Sequence, residues 1–475
     1  MKLRHSLLFL CTIVACLAVL CVVFPPEGIR VGSITLRFPS LHKVLAKERK
    51  PNVEEILAND TKQKQQKILA DLQDSIAYMQ SLADSSNIRF WFPKGEEGFF
   101  DDLFAQLETA KSDGRIIRIV HYGDSQIEMD RMTQELRTYM QSLFGGGGPG
   151  MQPGWQTIPS FAVNQYTSGS FSILSSYGDN TVQRANGNYG PLARCAHLAG
   201  SGTISFKASK QNFVDERVRR FRDVKVIFNN RPGPLTVSLD GDNSGSQTIE
   251  EPGVHAFEWS LPMDTNSLRI HLSGDADIYG ILVDNGPGVA VDNVPLRGCS
   301  GQQFSMINPE QLETAYGLMD VGLIILQFGG NSVPYLRGPR NTAVYAQTMG
   351  RQIDFMHKVC PQAKVLFIGP SDMATNVDGE RQSYPFLPSV VQMLRDTVTA
   401  HGAAYWSIYD AMGGKNSMAA WVNEGLAVSD YIHFSMKGVH LMGQRLADAF
   451  DQMYRIFLLR KRAMAAKQDT LTVNI

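Results

Sequence analysis

The chain has 475 residues, 43% of them hydrophobic and 19% charged, and its 45 Lys and Arg against 46 Asp and Glu leave a net charge of -1. That length can bury a sizeable core and hold more than one domain. The balanced charge excludes a strongly basic nucleic-acid binder, and the ordinary composition excludes a disordered or collagen-like chain.

At the N-terminus, Lys2, Arg4 and His5 precede an unbroken apolar run from Leu7 to Phe24, closed by Pro25 and Pro26. The run is near the lower limit for spanning a bilayer, and positive residues ahead of it favour a cytoplasmic N-terminus. Residues 1–26 are therefore expected to form a retained transmembrane signal anchor, with a cleaved signal peptide as the alternative. A lipoprotein reading through Val14-Ala15-Cys16 is weakened by the apolar residues that follow it. In each case the remainder is exported. Of the six cysteines, Cys195, Cys299 and Cys360 lie beyond this run. They allow at most one disulfide among themselves, and no CxxC spacing points to a metal.

Residues 27–98 read as a helical stalk, with Ile68, Leu69, Leu72, Ile76 and Met79 as an apolar stripe and Lys62 to Lys67 as a solvated face. From Phe99 the pattern changes. Phe100, Leu103, Phe104 and Leu107 mark a helix face, Gly114 stops it, and Ile116 to Val120 reads as a buried strand. Alternation resumes after residue 300, with strands at Val321 to Phe328, Lys364 to Gly369 and Ala403 to Ile408. Helices are expected near Tyr345 to Val359, Leu387 to His401 and Met436 to Leu459. Such alternation predicts a parallel sheet covered on both faces.

Between residues 160 and 290 the rhythm breaks. Short strands at Thr203 to Lys207, Val224 to Phe228, Leu235 to Leu239, Leu268 to Leu272 and Ile278 to Val283 are separated by turn signals. These signals are Asn229 to Gly233, Asp240 to Asn243 and Ser273-Gly274-Asp275. The spacing predicts an inserted antiparallel β-sandwich. Its aromatic residues Phe257, Trp259 and Tyr279 suit a sandwich core better than a sugar platform. Gly145 to Gly148 lacks any nucleotide-binding pattern and reads as a flexible cleft loop near Ser125.

Four elements carry chemistry. Gly123-Asp124-Ser125 follows a strand and precedes a helix, so Ser125 sits where open α/β sheets place ligands. Its N–H can also donate to an oxyanion. Asp430 lies three residues ahead of His433, which lets the carboxylate bind Nδ1–H and leaves Nε2 to take a serine proton. His121 and His440 have no aspartate at that offset. Gly329-Gly330-Asn331-Ser332 follows a strand, where the Asn331 amide can meet an oxyanion, and Gly301 can offer an unobstructed N–H. Cys299 beside it reads as packing rather than a nucleophile.

Their order resembles the block pattern of SGNH/GDSL hydrolases: serine, glycine, asparagine, then Asp-x-x-His near the end. Several stretches narrow the resemblance to periplasmic peptidoglycan O-acetylesterases whose SGNH domain is interrupted by a carbohydrate-binding-module-like β-sandwich. These are HYGDSQIEMDRMT (121–133), FGGGGPGMQPGW (144–155), GPLARCAHLAGSGTISFKAS (190–209), AMGGKNSMAAWVNEGLAVSDYIHFSMKGV (411–439) and RLADAF (445–450). The resemblance spans residues 115–455. Gln126 and Ser332 depart from it, at positions where His and an acidic residue respectively are frequent.

The resemblance implies a flavodoxin-like α/β three-layer sandwich with a parallel sheet. Its first part would be 99–159, the insertion 160–290, the second part 291–462, and the tail 463–475. Ser125, His433 and Asp430 would form the triad, with Ser125, Gly301 and Asn331 as the oxyanion hole and neither metal nor cofactor. The substrate would be an acetylated glycan of the cell envelope, foremost peptidoglycan acetylated on muramic acid. The enzyme would be anchored in the inner membrane and face the periplasm. An acetyltransferase or acetylesterase on another polysaccharide is the alternative, and a non-catalytic glycan-binding protein a second.

Overall fold

The computed structural model describes residues 2–45, 52–178, 187–242 and 245–472. Asn243, at the end of one expected turn, lies outside the described residues, as do the last three residues of the expected tail. The chain forms two compact units, Met1–Asp71 with Met464–Ile475, and Leu72–Ala463.

The first unit holds the helix Lys2–Val23, the hairpin Ile29–Val31 with Ile34–Leu36, and the start of a long helix, Val53–Ser85. Within the first of these, Leu3–Val23 is long and apolar enough to cross a membrane, and none of its most apolar stretch is buried.

The second unit is built on a six-stranded sheet. Its order is Gly288–Pro295, Ile116–Gly123, Val321–Gln327, Lys364–Gly369, Ala404–Ser407 and Phe90–Trp91. The first five strands are parallel and the sixth is antiparallel. Numbered along the chain, the parallel strands run 2-1-3-4-5, the doubly wound order whose direction reverses between strands one and three. Side chains alternate between the two faces, as the period of two requires. Ile117, Ile119, Leu323 and Ile325 pack with Leu103, Phe104, Leu136, Met442 and Phe450 from helices on one side. Val120, Tyr122, Ile324 and Leu326 pack with Leu312, Ile353, Met356 and Leu394 on the other. Phe90–Trp91 draws into this sheet residues that the sequence assigned to the stalk.

Strand Gly288–Pro295 is absent from the sequence expectations. It contains Asp292, fully buried, whose Oδ1 accepts from Arg118 Nη1 at 2.7 Å and from the Met151 N–H at 2.7 Å. Arg118 also donates to Asp284. A charge within a buried strand looks like a loop signal until its cation, far away in sequence, is known.

The intervening segment forms one continuous antiparallel sheet of eight strands. Its spine is the strand Ser267–Asp284. The first half of the spine pairs with Leu235–Leu239, its second half pairs with Phe221–Asn230 and with Gly150–Gln152, and Arg194–Ala208 follows it along most of its length. The turn expected at Ser273-Gly274-Asp275 is therefore strand. Gly274, at φ +147, lies opposite Gly200, and a Cβ there would stand 2.5 Å from the Pro234 carbonyl oxygen. Close backbone approach, rather than chain reversal, explains this glycine. Phe257 and Trp259 lie in the core of this sheet, and Tyr279 is buried in the larger core beside it.

Gly145 to Gly148 is not a cleft loop beside Ser125. It packs at the start of strand Gly288–Pro295, the end of the sheet opposite the serine. The Gly145 carbonyl accepts from Val289 N–H at 3.1 Å, and a Cβ on Gly146 would lie 2.5 Å from the Val289 oxygen. These glycines permit backbone contact between the two ends of the intervening segment.

Candidate active site

Ser125 begins a 3-10 turn directly after strand Ile116–Gly123. Asp124 caps the turn, its Oδ1 accepting from the Gln126 N–H at 3.0 Å. The following backbone is unusual: Met129, Asp130 and Met132 all have positive φ, costly for residues with a Cβ. Ion pairs hold it in place. Asp130 accepts from buried Arg137 at 2.9 Å, and Glu128 accepts a two-pronged pair from Arg297, with Nη2 at 2.6 Å from Oε2.

Asp430 to His433 form a tight loop ahead of helix Met436–Thr472. Val428 N–H donates to the His433 carbonyl, Tyr431 takes φ +59, and Ser435 Oγ accepts from Gly438 N–H in the first turn of the helix. Asp430 Oδ1 accepts from the N–H groups of Ile432 and His433 at 2.9 and 3.0 Å. Its Oδ2 stands 2.7 Å from His433 Nδ1. Partial burial works to raise the Asp430 pKa, yet these hydrogen bonds hold it below the usual carboxylate range.

The fold brings the two loops together. Ser125 Oγ lies 2.9 Å from His433 Nε2, across 308 residues of sequence. With Nδ1 facing a carboxylate, Nε2 is the nitrogen left to accept the hydroxyl proton. Ser125 and His433 are both partly buried.

Asn331 follows strand Val321–Gln327, the neighbour of the serine strand, so both residues stand at the reversal of strand order where such sheets bind ligands. Its Nδ2 donates to Asp124 Oδ2 at 3.2 Å and to the Cys299 carbonyl at 3.0 Å, so both amide protons are engaged. Gly301 lies in the loop after strand Gly288–Pro295 with φ +81, and a Cβ there would stand 2.8 Å from the Phe328 ring. Only glycine fits that close approach. Among the described residues, neither the Ser125 N–H nor the Gly301 N–H donates to another group.

Of the residues the sequence singled out, Ser125, His433 and Asp430 stand in one hydrogen-bonded line, while Asn331 reaches the serine turn through Asp124; the residues that hold them were not among those singled out. Asp124 is buried, and burial raises its carboxyl to about 6, opposed by the Gln126 N–H and the charge of His433. Gln126 and the Glu128–Arg297 pair were equally unforeseen. Charged residues at alternate positions after the serine were the available signal, unreadable without their partners.

The substitutes are elsewhere. His121 is buried between Gln327 and Thr133, and burial pushes it down to about 4. His440 pairs with Glu135 at 2.8 Å. Burial pushes the Cys299 thiol up to about 12, which leaves no thiolate nucleophile. Cys195, Cys299 and Cys360 are all free and buried. No group of three or more His, Cys, Asp or Glu among the described residues could hold a metal ion.

The arrangement is a doubly wound parallel sheet with a serine at the end of its first strand and a histidine loop ahead of its last helix. Among solved structures, the chain is similar to a peptidoglycan O-acetylesterase, with a TM-score of 0.63 at 23% identity over 78% of this chain and 99% of that one. A family two carbohydrate esterase from Cellvibrio japonicus aligns at 11% identity over 62% of this chain and 99% of its own, with a TM-score of 0.25, too low to bear on the fold. No family model matches the chain, and no curated protein matches it.

Proposed function

We propose that the chain is a serine esterase that removes O-acetyl groups from a cell-envelope glycan, with peptidoglycan acetylated on muramic acid as its substrate. The observation that carries this reading is the unbroken line from Ser125 Oγ through His433 to Asp430, at 2.9 and 2.7 Å. The fold shared with a peptidoglycan O-acetylesterase supports the choice of substrate.

In the proposed reaction His433 Nε2 takes the Ser125 proton as Oγ attacks the acetyl carbonyl carbon. The N–H groups of Ser125 and Gly301 receive the oxyanion, joined by one Asn331 proton that turns from Cys299 or Asp124. Collapse breaks the ester bond, and imidazolium gives the proton to the departing sugar oxygen, which leaves as the hydroxyl. Water then attacks the acetyl-enzyme with His433 again as base, releasing acetate and regenerating Ser125. Asp430 stays ionised throughout and fixes the tautomer.

In this reading the helix Lys2–Val23 anchors the chain in the inner membrane with the catalytic unit in the periplasm, and the antiparallel segment is a carbohydrate-binding-like insertion. The test is acetate release from O-acetylated peptidoglycan, with labelling by a fluorophosphonate. Wild type should release acetate and label, and Ser125→Ala should do neither. Full acetate release by Ser125→Ala would overturn the assignment.

A further inference from the structure

The peptide unit joining Ile432 to His433 is held at both ends. Its N–H donates to Asp430 Oδ1 at 3.0 Å, and its carbonyl accepts from Gln126 Nε2 at 2.9 Å. The first contact is local. The second crosses 306 residues and comes from the residue directly after Ser125. Gln126 is more than nine-tenths buried, its own N–H is fixed by Asp124, and among the described residues its buried Oε1 has no hydrogen-bond partner.

That unpartnered oxygen needs an explanation, because a buried acceptor left unsatisfied is destabilising. A leucine of similar volume would fill the same space without the penalty. What leucine lacks is the N–H that grips the Ile432 carbonyl. Orienting a peptide plane sets the direction of the next side chain, here the imidazole of His433. Other bonds anchor the loop elsewhere, Ala374 N–H to the Tyr431 carbonyl at 3.1 Å and Val428 N–H to the His433 carbonyl at 2.9 Å, but beside the Ser125–His433 pair itself it is Gln126 that ties this peptide to the serine turn.

We infer that Gln126 is a positioning residue that locks the His433 loop onto the serine turn, so that the nucleophile carries in the next residue the latch for its own base. This rests on the proposed role of His433. Misplacing a reacting group by about 1 Å can cost a hundredfold in rate, so the latch acts on turnover and not on substrate affinity.

The test uses the full chain with Gln126→Leu, which keeps volume and removes the donor. Gln126→Met serves as a second variant, again of similar volume and without the donor. Both should lower kcat for a nitrophenyl acetate by about 10- to 100-fold while KM stays within about twofold. The downfield proton resonance of His433 Nδ1–H should shift or broaden in both, and thermal midpoints should stay near wild type. Unchanged kcat in a folded variant overturns the inference, as does a loss of kcat that tracks lost stability with the Nδ1–H resonance unmoved. If Ser125→Ala and His433→Ala are inactive while Gln126→Leu is fully active, this inference alone fails. If those two retain activity, the esterase reading fails first.

Discussion

Asp124 Oδ2 accepts from Asn331 Nδ2 at 3.2 Å, and that contact ties the serine turn to the end of the neighbouring strand. In the proposed reaction one proton of this amide turns from that contact, or from the Cys299 carbonyl, to the oxyanion. Removing the amide should cost about a hundredfold or more in kcat, the usual worth of one oxyanion donor. Steady-state kinetics of Asn331→Ala on an acetyl ester measure this. A rate within threefold of wild type would reduce Asn331 to a turn residue.

The same carboxyl makes stability depend on pH. Asp124 has its pKa raised to about 6 by burial, against about 3.9 unfolded, so the folded state binds more protons between those values. Its contribution is therefore fully present below pH 4 and is lost as pH rises to 6, by about 3 kcal/mol at most. Asp124→Asn removes that dependence. In urea unfolding, the variant should gain on wild type from pH 4 to pH 7, and parallel curves would contradict the raised pKa.

Asp430 grips both the imidazole and the two N–H groups beside it. Asp430→Asn keeps an acceptor for the backbone but can present an N–H to Nδ1, favouring the wrong tautomer. A loss of about a thousandfold or more in kcat is expected, with KM little changed. Equal activity of the two proteins at pH 8 would remove Asp430 from the relay.

Arg118 is buried with Asp284 and Asp292, and it joins the parallel sheet to the antiparallel one. Burial raises Asp284 to about 6 even with the guanidinium beside it. Arg118→Ala strands two carboxylates in the interior and should cost about 3–5 kcal/mol by denaturant unfolding. A loss below about 1 kcal/mol would mean that water reaches the pair.

Cys299 lies beside Gly301 and lends its carbonyl to Asn331, yet its thiol is buried and neutral. Cys299→Ala keeps the backbone and should hold kcat/KM within about threefold of wild type. Inactivation of the wild type by iodoacetamide at pH 8, absent from the variant, would show that the thiol matters.

What could be read from the sequence was whatever is written locally. An aspartate three residues before a histidine, and a serine or asparagine directly after an apolar strand, keep their meaning without knowledge of the fold. The parts that escaped depend on distant partners. Strand Gly288–Pro295 hides behind Asp292, whose cation is on another strand, and Ser273-Gly274-Asp275 looks like a turn because the close approach of the Pro234 carbonyl is invisible in a linear text. Gly145 to Gly148 misled for the same reason: glycine marks both mobile loops and tight backbone contacts. Gln126 looked like an ordinary departure from a motif until the Ile432 carbonyl appeared opposite its amide.

Ile116 pairs with Gly288, although the whole antiparallel segment lies between their strands. Closing a disordered loop of about 170 residues costs roughly 2 kcal/mol more than closing one of about 20, before any strand contact repays it. If the antiparallel segment folds first, its ends at Gly145 and Gly288 already touch and the penalty shrinks. The edge strand should then gain hydrogen-exchange protection after strand Ser267–Asp284 and not before it. A chain arrested in that segment could already carry its serine and still be unable to present Gly301, so maturation of activity would track the part of the protein farthest in character from the chemistry.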